Sequence, residues 1–189
     1  MRPIASLALF LACAAPAWSQ NVLSEASGNW AGASGDGFTF FARLTQNEDM
    51  ARLTIWSGNP GTPAVAEGEP QFDNPVIAIG AFATKQELEV LDTGDGSILQ
   101  IVTEYADEEG TGRIVTQLQY LDNQFTLIGY SSSGETGGKQ HDCDVDLWKM
   151  TATEDGKTRV LEPVGFEALN ASYWTWDAPF ERGFCHRGE

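Results

Sequence analysis

The run His141-Asp142-Cys143-Asp144-Val145-Asp146 and the pair Cys185-His186 gather the side chains of this chain best suited to bind or react. They include both histidines and two of the three cysteines. In an oxidising compartment two cysteines pair, so Cys143 and Cys185 are expected to form a disulfide. Such a bridge contributes roughly 4 kcal/mol by restricting the unfolded chain. It also draws His141 and His186 into one neighbourhood, with their Cα atoms within ~16 Å of each other. If the run is an extended strand, alternation puts Cys143, Val145 and Leu147 on one face and Asp142, Asp144 and Asp146 on the other.

Several chemistries fit this cluster. One is a structural disulfide flanked by solvated histidines and a charged strand face. A second is a metal site built from His141, His186 and Asp142 or Asp144; the ligand types suit zinc or another divalent ion, while the spacing matches no standard zinc finger. A third comes from Lys139-Gln140-His141-Asp142-Cys143, which resembles the Lys-Pro-His-Asp-Cys loop of Ivy-type lysozyme inhibitors. That resemblance implies a loop histidine, His141, acting as a plug braced by Cys143 in the active site of a cationic protein partner. Gly138 stands where that family carries its first loop cysteine.

The sequence assigns no catalytic residue, since Gly-x-Ser-x-Gly, His-Glu-x-x-His and phosphate-cradling glycine motifs are all missing from it. A carboxylate-dependent hydrolase stays open, because 27 acidic residues offer many pairs whose distances only a fold defines. The acidic turns at 92–96 and 106–110 lack the spaced ligand series of a calcium loop. Between the cysteines, Tyr173, Trp174 and Trp176 form an aromatic tail. Exposed, it would be a contact surface for a sugar ring or a protein; pinned by the bridge, it would cap the core.

The elements that must position these residues read as strands. Period-two alternation begins at 38–45, with Phe38, Phe40, Ala42 and Leu44 on one face. It returns at 50–56 after a polar hairpin turn, with Ala51, Leu53 and Ile55 inward. Residues 58–75, rich in proline, read as a surface excursion. Strands follow at 76–90, 97–105, 113–121, 124–131, 142–152 and 157–164, with 132–138 a Gly and Ser rich loop. Only 166–169 and a turn near 20–26 read as helical. About nine strands without crossover helices imply an all-β, antiparallel domain. A single closed barrel is preferred to a sandwich because closure removes exposed edges. Gly28-Asn29-Trp30 is similar to the Gly-x-Trp opening of lipocalin-like barrels, which implies a tryptophan plugging one barrel end.

At the N terminus, Arg2, an apolar run and Ala17-Trp18-Ser19 have the pattern of a secretory signal peptide over 1–19, leaving 20–189 as one domain. Leu11-Ala12-Cys13 also resembles a lipobox, which would instead put a lipid on Cys13. These features point to a periplasmic or secreted protein. Eleven Lys and Arg against 27 Asp and Glu give a net charge of −16. Such a balance argues against nucleic acid and favours a cationic partner. No apolar stretch is long enough to span a bilayer. The reading is an exported, acidic, non-catalytic binding or interaction module for a small ligand or cationic protein.

Overall fold

The structure is a computed structural model that describes residues 21–31, 37–94, 96–108 and 110–186. The signal segment 1–19 with Cys13, and the acidic-turn residues Asp95 and Glu109, lie outside them.

Among the described residues, eleven strands form two antiparallel sheets around one core. The smaller sheet has the order β1 (Val22–Asn29), β2 (Thr39–Asn47), β3 (Met50–Ser57), β4 (Phe72–Ile79). The larger runs from β5 (Ala83–Asp92) through β6 (Ser97–Ala106), β7 (Gly110–Leu121), β8 (Gln124–Thr136), β9 (Lys139–Asp146) and β10 (Thr151–Glu154) to β11 (Lys157–Val160). Sequential hairpins make both sheets, as the alternation requires. Phe40, Leu44, Leu53, Ile55 and Ile77 of the smaller sheet meet Leu99, Ile101, Leu118 and Leu127 of the larger in the buried core. Phe38, expected inward, is half exposed just before β2.

The sheets do not close into a barrel, which corrects the preferred architecture. Where β1 approaches β5, the Leu88 N–H donates to the Ser24 hydroxyl at 3.0 Å, and no backbone ladder joins the two strands. On the other side the C-terminal tail covers the edge of β4, with the Trp176 N–H donating to the Val76 carbonyl at 3.3 Å. Buried Asn74 donates from Nδ2 to the carbonyls of Ala171 and Trp174, both at 2.7 Å. An edge covered by its own tail is protected without closure.

Five element boundaries differ from the sequence reading. Residues 22–26 lie in β1, not in a helical turn, because Glu25 and Ala26 pair with Arg43 and Ala42. The excursion ends at 71, since 72–75 begin β4. The 76–90 run splits at a tight turn where the Gly80 and Ala81 N–H groups both donate to the Asp49 carbonyl and Phe82 takes a φ of 62°. The expected loop at 132–138 is mostly strand: serines and glycines pair as well as any residue once neighbours fix the register, and only Gly137 and Gly138, both at positive φ, turn. A further turn at 147–150 divides 142–152 into β9 and β10. Residues 166–169 form a single 3₁₀ turn, and a short helix, α1 (Ala178–Glu181), follows in the tail.

Trp30 is buried and stacks on Phe40 at 4.0 Å between ring centroids, with Tyr120 and Phe125 close by. A Cβ on Gly28 would lie 2.6 Å from the Phe40 ring, so glycine is what lets the ring lie flat there. The Gly-x-Trp pattern thus supplies a buried tryptophan to an open two-sheet core.

Candidate functional site

Cys143 and Cys185 are bonded, with Cα atoms 6.0 Å apart. On β9 the alternation holds: Cys143 and Val145 are buried, and Asp142 and Asp144 are exposed on the opposite face. Across β10, Cys143 lies opposite Glu154, and across β8 opposite Ser132. Glu154 and Arg159 clasp the tail beside the bridge. The His186 backbone N–H donates to Glu154 Oε1 at 2.5 Å, and its ring Nδ1 lies 2.7 Å from Oε2. Arg159 donates from Nη2 to the carbonyls of Gly183 and Phe184, each at 2.8 Å. Glu154 and Arg159 were not legible as site residues; their one signal was alternation into the Asp155-Gly156 turn.

Partial burial works to raise the Glu154 pKa, but the hydrogen bonds from His186 and the positive charges of His186 and Arg159 outweigh it and hold the carboxyl below its ordinary value. A depressed folded value means the clasp stabilises above the unfolded pKa, about 4.5, and is lost as pH falls through the folded one. Glu154→Gln is therefore expected to lower the melting temperature at pH 7. The deficit should shrink steadily below pH 4.5. Thermal melts of both proteins across that range check it, and a deficit independent of pH would assign Glu154 a steric role only.

The bridge does bring the histidines together: His141 and His186 border the same two hollows. One, of roughly 480 Å³, also touches Glu154, Asp155 and Lys157. The other is a cleft of roughly 430 Å³ walled by Phe82, Tyr105, Tyr130, Trp176 and Phe180, with Asp107 at its rim. Gly112 shapes it, because a Cβ there would meet the Tyr105 hydroxyl at 2.4 Å. Burial, and then the charge of Asp107, push the Tyr105 phenol above its usual pKa. None of these wall residues except Trp176 stood out in the sequence, since each reads as an ordinary inward aromatic.

Of the candidate metal ligands, His141, Asp142 and His186 border the first hollow, and Asp144 does not. Asp142 and Asp144 lie on the face of β9 opposite His141, and Glu154 is already engaged. Among the described residues no group of three or more His, Cys, Asp or Glu is placed to hold an ion. His141 itself sits within β9, opposite Gly134, and the hairpin tip is Gly137-Gly138. The loop histidine implied by the lysozyme-inhibitor resemblance is thus a strand residue, because pairing runs out to Thr136 and Lys139. In the tail, Trp174 is wholly buried, which removes it from any contact surface, whereas Tyr173 is 71% exposed and Trp176 partly so.

These features define an all-β domain of two antiparallel sheets, disulfide-pinned at its tail. No known family model matches the chain, and no curated protein and no solved structure is significantly similar to it. Among the described residues no helix is long and apolar enough to cross a membrane.

Proposed function

We propose that the chain is an exported, acidic, non-catalytic binding module whose aromatic cleft receives a cationic group. The observation that carries this reading is the cleft itself, where Phe82, Tyr105, Trp176 and Phe180 surround a space bordered by Asp107 and both histidines. Aromatic faces attract a cation, and the more so where water is partly excluded. The net charge of −16 steers cations toward the surface. Bonding of Cys143 to Cys185 leaves neither as a thiolate nucleophile, which supports binding over catalysis.

Benzylamine, benzyl alcohol and benzoate share one ring and differ in charge, so they test the reading directly. Titrations followed by tryptophan fluorescence should give saturable benzylamine binding, about millimolar for so small a ligand, and benzoate at least tenfold weaker. Phe82, 64% exposed at the mouth, can be replaced by Ala without loss of core, and that change should weaken benzylamine several-fold. Equal affinity for amine and carboxylate would remove the proposal.

A further inference from the structure

We infer that the outer face of the larger sheet is a second binding site, for a neutral saccharide built from pyranose rings. It lies on the side of the sheet opposite the cleft and stands independently of the reading above. A depression of roughly 510 Å³ crosses this face, floored by Gln117, Gln119, Ser131 and Asp144 and walled on one side by Trp148. It extends from Ile98 on β6 to Asp144 on β9, three strand spacings or about 14 Å, which is longer than one sugar ring.

Trp148 is the decisive residue. Its side chain is 66% exposed although the ring is among the costliest to leave in water. It is not loose. The turn that displays it is anchored by buried Leu147, whose N–H donates to the Ile128 carbonyl at 3.1 Å. Asp146 ties the turn again, accepting from the Lys149 N–H at 2.9 Å and from Lys149 Nζ at 2.6 Å. Burial works to raise the Asp146 pKa, yet these bonds, with that of the Trp148 N–H, prevail and keep the carboxyl ionised. An exposed indole carried on an anchored turn beside a polar trough offers a flat π face to the C–H face of a pyranose.

The floor supplies the complement. The central position of the row Gln100, Gln117, Gly129, Asp146 has no side chain. Gln117 occupies that space: a Cβ on Gly129 would stand 2.4 Å from Gln117 Oε1, so the amide lies flat on the sheet. Primary amides both donate and accept, and the Asp144 carboxylate accepts from hydroxyl pairs. This is the set that vicinal diols satisfy. Carboxylates at 144 and 146 repel anions, and Lys149 is already paired with Asp146. Neutral sugars fit these terms, and acidic sugars do not.

The test is calorimetric titration of the intact disulfide-bonded domain with cellohexaose, laminarihexaose and chitohexaose, and with a hexamer of galacturonic acid as the anionic control. At least one neutral oligosaccharide should bind with a Kd of about a millimolar or tighter. Trp148→Ala should weaken it at least tenfold while leaving the melting temperature unchanged, since the ring is exposed. Gln117→Leu should weaken it as well, and benzylamine binding should be untouched in both variants. Failure of all three neutral sugars overturns the inference, as does binding that survives Trp148→Ala or that extends equally to the galacturonate.

Discussion

Trp174→Ala should destabilise the domain by about 3–5 kcal/mol and lower its melting temperature by roughly 10 °C. Among the described residues Trp174 is the largest wholly buried side chain, and three holds converge on it. Its ring meets Tyr130 at 6.5 Å between centroids, the Arg182 guanidinium lies 5.3 Å from its centroid, and its carbonyl accepts from buried Asn74. Truncation leaves a cavity between β4 and β8 that these neighbours, tied by their own bonds, cannot collapse to fill. Tyr173, its exposed neighbour, supplies the contrast: Tyr173→Ala should change stability by less than about 0.5 kcal/mol. Chemical denaturation of the two variants reads both values. A Trp174→Ala cost as small as that of Tyr173→Ala would mean the tail packs loosely in solution.

The contrast shows where sequence reading succeeds here and where it stops. Alternation placed Leu53, Ile55, Cys143 and Val145 inward, because a strand has two faces and one of them is dry. Turn residues with positive φ, such as Asp122-Asn123 and Asp155-Gly156, located hairpins for the same local reason. Barrel closure was a different kind of question. It depends on whether β4 finds β11 or finds the tail, and nothing local to either edge encodes that choice. The deciding residue, Asn74, looks like a loop asparagine before Pro75, yet its buried amide holds two tail carbonyls. Likewise the cluster 141–146 was visible as chemistry, but the partner that matters to His186 is Glu154, 32 residues away. Trp148 carries no signal in the sequence, because exposure cannot be read from an isolated tryptophan.

Replacing Cys143 and Cys185 together by Ala should cost about 2–5 kcal/mol, and the loss should appear first in the tail. The bridge lies at the far end of a segment tied also by Asn74 near its start, by buried Trp174 and the Trp176 N–H in its middle, and by Arg159 and Glu154 near its finish. The sheets have their own ladders and share a core built mostly from side chains of the strands themselves. Hydrogen exchange on the double variant should therefore show amides of 171–186 opening by local unfolding while those of β6, β7 and β8 keep protection set by global stability. With the tail released, the edge of β4 loses the Trp176 N–H donated to Val76 and becomes an open strand edge, so the variant should also self-associate at high concentration. Uniform loss of protection would show instead that tail and sheets unfold as one unit. The bridge would then act on global stability, and the histidine clasp would have no separate equilibrium to control.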